Sequence, residues 1–189
     1  MFHRATQKLL VGVRRMAHVK TVRRLARRED GVAAVEFGLV AAPFLALLFA
    51  IIETALVFFA GQTLETATAD ASRLILTGQA QTAGFSEAQF KQSVCSRVYG
   101  LFDCSNGVKI DVRTASAFGS TNMSKPLDAN GNLQGNMMYS PGSAGDIVVV
   151  RVMYEWPVYV KLMGLNLSDM STGKRLLMAT AAFRNEPYQ

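Results

Sequence analysis

Two carboxylates lie in or beside a run of almost entirely apolar residues. From position 37 to position 60 the chain reads FGLVAAPFLALLFAIIETALVFFA, where Glu53 is the only charged residue, and Glu36 comes immediately before this run. A carboxylate in an apolar setting is stable only when a cation or hydrogen-bond donors compensate for the lost water. The question is therefore which cation or hydrogen-bond donor compensates Glu36, and which compensates Glu53.

Proteolysis could create a positive partner for Glu36. The preceding residues read REDGVAAVEFG, and a cut between Gly31 and Val32 would leave Val32 with a free α-amino group, positively charged at neutral pH. Glu36 would then lie one helical turn from that charge and could pair with it on its own chain or on a neighbour. We predict that Gly31 and Val32 form a processing site and that Glu36 is an assembly carboxylate. The alternative is an interfacial glutamate in an uncleaved signal anchor.

Glu53 is a second candidate membrane carboxylate. It follows Glu36 by 17 residues, about 25 Å along a helix, and points about 100° away from it. The two acids therefore do not form one site. Glu53 either meets a cation on a partner helix or marks the outer membrane interface, and the sequence leaves both alternatives open.

The remaining reactive residues indicate a structural protein. Cys95 and Cys104 are the only cysteines, and their spacing in CSRVYGLFDC excludes a redox CxxC motif. They predict a disulfide, formed in an oxidising compartment. After residue 31 there is no histidine, which disfavours hydrolases and most zinc sites. Nucleotide-binding and nucleophile motifs are also absent. We expect no catalysis, no metal site and no cofactor.

The positive charge is confined to the N-terminus. Residues 1–31 contain nine Lys/Arg and two Asp/Glu, a net charge of +7, whereas residues 32–189 have a net charge of −1. A nucleic-acid-binding domain needs a basic face, so no nucleic-acid partner is expected. Because basic flanks stay in the cytoplasm, the tail should be inside and residues 61–189 outside. A cleaved secretory signal peptide is the competing interpretation. The apolar run is longer than the apolar core of such a peptide.

Beyond the span the sequence predicts an α+β domain. The helix should continue to about Gly78, with Leu64, Ala67, Ala71, Leu74 and Gly78 on its inner face. A second helix should start at Ser86, which forms a capping box with Gln89, and run to about Val98. Alternation around 108–112, 146–156 and 177–183 predicts a small antiparallel sheet of three or four strands, with the helix on one face and water on the other. Residues 116–145 are predicted to form a long loop with a turn at Asn130-Gly131.

The text RREDGVAAVEFGLVAAPFLALLFAIIE resembles the TadE-like pseudopilins of the tight-adherence (Flp) pilus machinery, within the type IV prepilin-like proteins. The ending TAAFRNEPYQ is similar to the Arg-x-Glu-Pro-aromatic ending of that family. The resemblance implies a pilin-like architecture and cleavage between Gly31 and Val32 by a prepilin peptidase, a membrane aspartic protease. It also implies that Glu36 matches the glutamate at the fifth position of the mature family members.

These observations define three predicted regions: a cytoplasmic basic leader over residues 1–31, a transmembrane helix over 32–60 and a periplasmic pilin-like domain over 61–189. The resemblance implies a non-catalytic minor pseudopilin, a single-pass protein of the bacterial inner membrane, and leaves open whether it enters an extracellular pilus. Its partners would be the prepilin peptidase, other pilin-like subunits and the pilus assembly platform. The alternative is a single-span anchor for a periplasmic binding or sensory domain that never joins a pilus.

Overall fold

The computed structural model describes residues 29–98, 100–161 and 166–188. Most of the predicted leader, residues 1–28, lies outside these ranges. The chain divides into two compact units, Met1–Phe49 and Ala50–Gln189. The predicted domain boundaries at 31/32 and 60/61 stay predictions.

Three helices and three strands make up the described part of the chain. Helix α1 covers Glu29–Leu76, α2 covers Gln79–Thr82 and α3 covers Glu87–Cys95. The strands are β1 (Lys109–Ala115), β2 (Ile147–Trp156) and β3 (Arg175–Arg184), with a 3-10 turn at Phe118–Ser120. The strands form one antiparallel sheet in the order β1-β2-β3. The expected α+β class, with a long apolar N-terminal helix and a small antiparallel sheet, is confirmed.

Local signals account for the helix ends. Gly78 adopts φ +74°, which favours glycine, and separates α1 from the short α2, which the sequence analysis did not predict. The predicted capping box is present at α3, where the Ser86 N–H donates to the side chain of Gln89 and the Gln89 N–H donates to the Ser86 hydroxyl. Helix α3 ends at Cys95, three residues before the predicted end.

The main core of the second unit lies between α1 and the sheet. One face of α1 is buried at helical spacing. Near its end Ile75 is fully buried, and the predicted Leu74 is partly buried and packs against the same core. The alternating residues predicted to share a sheet face form the opposite wall of this core. The buried members from α1 and from the sheet side are Val57, Ala60, Leu64, Ala67, Ala71, Ile75, Val108, Ile110, Val112, Val148, Val150, Val152, Leu177 and Ala179. The segment between α1 and β1 adds Ala80, Phe90, Val94, Val98 and Phe102 to the same core.

The prediction that the other face of the sheet lies in water is wrong. Met153 and Leu176 on that face are buried and form a second cluster with Met170, onto which Leu127 and Leu133 pack. The long segment between β1 and β2 therefore folds over the sheet. Apolar residues on both sides of the predicted turn at Gly131 make this possible, because the turn directs Leu127 and Leu133 to the same place, where they form an isolated bridge.

A buried ion pair joins β1 to β2 beneath this segment. The Asp111 side chain is fully buried, and one of its oxygens accepts hydrogen bonds from the guanidinium of Arg151 at 3.0 and 2.5 Å. Arg113 donates to both carboxylate oxygens, and the Met138 N–H donates at 3.0 Å. Burial raises the pKa of Asp111, but the bonds from Arg113, Arg151 and Met138 outweigh it and hold the pKa below its usual 3.8.

We expect Asp111→Asn to lower the free energy of unfolding by roughly 3–5 kcal/mol at neutral pH, because it leaves Arg151 buried without a counter-charge. Since the pKa of Asp111 is lowered in the folded state, its stabilisation is complete above the ordinary carboxyl pKa and is lost as the pH falls through the folded value. The variant should therefore lose less further stability than the wild type below about pH 4. Urea unfolding of the full chain in detergent micelles, followed by near-UV circular dichroism, measures both effects.

The matched control is Glu155→Gln, which breaks the exposed pair between Glu155 and Lys174 at 3.0 Å. That change should cost no more than about 1 kcal/mol. Parallel acid sensitivity in Asp111→Asn and in the wild type would contradict the role assigned to Asp111.

Candidate membrane and assembly site

Helix α1 is long and apolar enough to cross a membrane once. In the first unit no side chain between positions 32 and 49 is buried, although most of these residues are apolar. Valine, leucine and phenylalanine side chains are exposed all around the helix there, and a helix apolar on every side is typical of a membrane span. The structure is thus compatible with single-pass anchoring.

The predicted processing residues lie at the start of α1. Gly31 and Val32 follow the first residue of the helix, Glu29, by two and three positions, so the peptide bond between them is within its first turn. Val32 is 45% exposed. The Glu36 side chain is also exposed, and the ion pairs found in residues 29–98, 100–161 and 166–188 do not include it. The roles of Gly31, Val32 and Glu36 stay predictions.

Glu53 has a different environment, in the second unit. Its side chain is only 7% exposed, and both of its oxygens accept backbone hydrogen bonds. The Tyr159 N–H donates to Oε1 at 2.5 Å and the Val160 N–H donates to Oε2 at 2.9 Å. Within the described residues its partners are therefore backbone donors just after β2. A role for Glu53 towards a neighbouring helix stays a prediction.

A disulfide closes the connection between α3 and β1. Cys95, the last residue of α3, is joined to Cys104, with 5.9 Å between the two Cα atoms. Within the closed loop, the Phe102 ring lies edge-on to Tyr154 at 4.8 Å and to Trp156 at 5.9 Å. The bond therefore fastens an aromatic cluster at the end of β2. No group of His, Cys, Asp and Glu in the described part of the chain could hold a metal ion.

The C-terminal residues fasten the end of α1 to the sheet. The Glu186 N–H donates to the carbonyl oxygen of Leu76, the last residue of α1, at 2.8 Å. Asn185 is buried, and its side-chain amide donates to the carbonyl oxygens of Pro141 and Ser143. Tyr188 packs so closely on Gly78 that a Cβ there would lie 2.2 Å from its ring. The C-terminal ending, which carries part of the resemblance, thus holds the end of α1 in place in this chain.

Comparison with known families supports the resemblance over most of α1. Residues 31–73 match the family model described as TadE-like protein. The matched segment begins at Gly31 and ends inside α1, so it includes Glu36 and Glu53 but none of the strands. No curated protein and no solved structure gave a match. The TadE-like resemblance is thereby confirmed for the helix, and that of the C-terminal ending stays a prediction.

Sequence reasoning missed the two most specific polar contacts of the second unit. The partner of Glu53 is a backbone segment more than a hundred residues away, and no periodicity identifies backbone donors at that distance. The Asp111–Arg151 pair carried a weak signal, since both residues occupy strand positions pointing away from the main core. Alternation alone indicates a solvated face there, because it does not reveal that a loop will fold over it.

We expect Gly78→Ala to destabilise the second unit by roughly 2–5 kcal/mol, because the new methyl group adds a collision with Tyr188 to the strain of φ +74°. Gly84→Ala is the matched control: φ there is +64°, but nothing lies within 4 Å of the added Cβ. It should cost only about 1–2 kcal/mol. Thermal unfolding of the full chain in micelles compares the two, and equal costs would show that the Tyr188 contact is unimportant.

Proposed function

We propose that this protein is a non-catalytic, pilin-like subunit used in assembling a tight-adherence pilus. In this proposal it is inserted in the bacterial inner membrane with residues 1–31 in the cytoplasm and the sheet domain in the periplasm. A prepilin peptidase cuts between Gly31 and Val32. The mature helix then packs with other pilin-like helices at the assembly platform.

The observation that carries the proposal is the TadE-like match that begins at Gly31. The matched segment starts at Gly31, the residue that the sequence analysis predicts to lie before the cut. Residues 1–30, which include all the Lys/Arg of the basic tail, lie outside the matched segment. This division is what a removable leader followed by a shared helix would produce.

The exposure of the first unit supports assembly through α1. Phe37, Leu39 and Val40 are each at least 70% exposed, so the residues described in the structure leave these side chains uncovered. Lipid covers them before assembly, and neighbouring helices would cover them in a fibre. Glu36 would restrict how the helices pack. Its carboxylate is most stable beside the new α-amino group of Val32, on its own chain or on a neighbour.

A second function is favoured by the limited extent of the match. Because the TadE-like segment stops within α1, the sheet domain could be a periplasmic binding or sensory module carried on such an anchor. The anchor would then stay in the membrane without joining a fibre, and Glu36 would have no assembly role.

Processing is tested by intact-mass analysis of the chain extracted from membranes of cells with and without the prepilin peptidase. We expect loss of residues 1–31 only when the peptidase is present. Gly31→Leu should retain the leader in both strains, because a bulky side chain would occupy the cleavage position. Gly38→Leu is the control, since nothing lies within 4 Å of a Cβ at Gly38 and processing should continue. A full-length chain in both wild-type strains would refute the processing claim.

Assembly is tested by Glu36→Ala. We expect the variant to be inserted and folded but to fail in piliation, because the α-amino group of Val32 loses its carboxylate partner. Glu65→Ala removes an exposed carboxylate from the second unit and should leave piliation unchanged. Counting pili by electron microscopy, alongside a protease-protection assay for folding, separates the two functions. Normal piliation in Glu36→Ala would favour the anchored module.

A further inference from the structure

We propose that Glu53 holds residues 157–161 at the outer surface of the membrane and that the ring of Tyr159 lies in the lipid headgroup layer. The partner of this surface is the bilayer itself. The inference rests on the membrane insertion included in the proposed function, but it needs neither cleavage nor assembly into a pilus.

The first observation is the geometry of the Glu53 contact. Residues 157–161 follow β2 and belong to no helix or strand. The two carboxylate oxygens of Glu53 each accept one of their N–H groups, from Tyr159 and from Val160. Charge-assisted bonds of this kind are stronger than bonds between neutral groups. The contact therefore fixes this segment at the level of Glu53 along α1.

The second observation is the level at which the folded domain begins. From Gly31 onwards, the first buried side chain on α1 is Ala50, and Glu53, Val57 and Ala60 follow on the covered face. A domain with polar loops cannot lie in hydrocarbon, so the hydrocarbon must end near Glu53. Residues 32–52 would measure about 31 Å as a helix, and a hydrocarbon core is about 30 Å thick. The two estimates place the outer boundary at the same residue.

The third observation is the chemistry found at that level. An irregular backbone beside lipid must have its N–H groups satisfied, which the Glu53 carboxylate achieves for Tyr159 and Val160. The Tyr159 side chain is 82% exposed, and tyrosine is enriched where membrane meets water. On α1, Phe58 and Phe59 are 72% and 58% exposed, within about 9 Å of Glu53 along the helix axis. The headgroup layer would shield the exposed rings of Tyr159, Phe58 and Phe59 from water.

A spin label at Tyr159→Cys tests the location. The two natural cysteines are joined in the disulfide, so the label attaches at the new site. The full chain is reconstituted at low protein-to-lipid ratio in vesicles of phosphatidylcholine and phosphatidylglycerol. Collisions with oxygen, which partitions into lipid, are compared with collisions with a water-soluble nickel chelate. We expect a higher oxygen-to-nickel ratio at position 159 than at the control Ala88→Cys, an exposed position on α3.

Glu53→Gln tests the contact itself. Glutamine keeps the length of the side chain but has one acceptor oxygen and no charge, so one of the two bonds is lost and the other is no longer charge-assisted. We expect the fraction of molecules with residues 157–161 released to rise about tenfold or more, which shifts the label at 159 towards water. The label at Ala88→Cys should not change. Glu65→Gln, at an exposed carboxylate on the same helix, should leave both labels unchanged.

Three results would overturn the inference. A water-like label at 159 in a chain whose helix resists carbonate extraction would refute it and leave the proposed function intact. Spin–spin broadening at 159 that grows with the protein-to-lipid ratio would show that a second copy covers this surface instead of lipid. A chain that carbonate extracts from the vesicles would refute both the inference and the membrane insertion on which it rests.

Discussion

The apolar side chains of α1 between positions 32 and 49 need a non-aqueous neighbour, and none of the residues that the structure describes buries them. From position 50 onwards the requirement changes, because the sheet covers one face of the helix and leaves the other exposed. One continuous helix thus has two kinds of surface, apolar on every side in its first part and packed against protein on one side in its second. In the second unit, the contacts of the sheet and of its loops hold a polar domain on this helix.

Both faces of the sheet are covered by other parts of the chain. Helix α1 packs on one side through aliphatic and small residues, and the segment between β1 and β2 packs on the other through methionine and leucine. Covering the second face buries Asp111 and Arg151, and removing charges from water is costly unless each finds its partner. Here the carboxylate receives two guanidinium groups and one backbone N–H, so the polar contact is complete. The loop between β1 and β2 is therefore part of the fold.

Periodicity made the larger part of this architecture predictable. The alternation of Val148, Val150 and Val152 identifies the face of β2 that packs on α1, and Ser86 with Gln89 identifies the start of α3. Both signals are local, since a strand or a helix cap determines them within a few residues. The charge distribution and the apolar run likewise predicted a membrane helix, which α1 is long and apolar enough to form. These features needed no knowledge of distant contacts.

The unpredicted features all depend on residues far apart in the chain. Whether Asp111 contacts water or Arg151 depends on where a loop of some thirty residues folds. The Glu53 oxygens accept from backbone N–H groups, which every residue type except proline carries. The candidate site divides in the same way. Gly31, Val32 and Glu36 are predicted from a short motif, which can be read from the sequence alone. The donors to Glu53 are recognised only from the three-dimensional structure.

The two fastenings of α1 have a mechanical consequence. One lies at Glu53, where Tyr159 and Val160 donate to its carboxylate, and the other at Leu76, whose carbonyl accepts from Glu186. Tension applied along the helix axis would load both fastenings and the core between them at once, as shear. Separating the sheet from the helix then requires many contacts to break together. Within the second unit, α1 and the sheet would therefore resist such a load as one body.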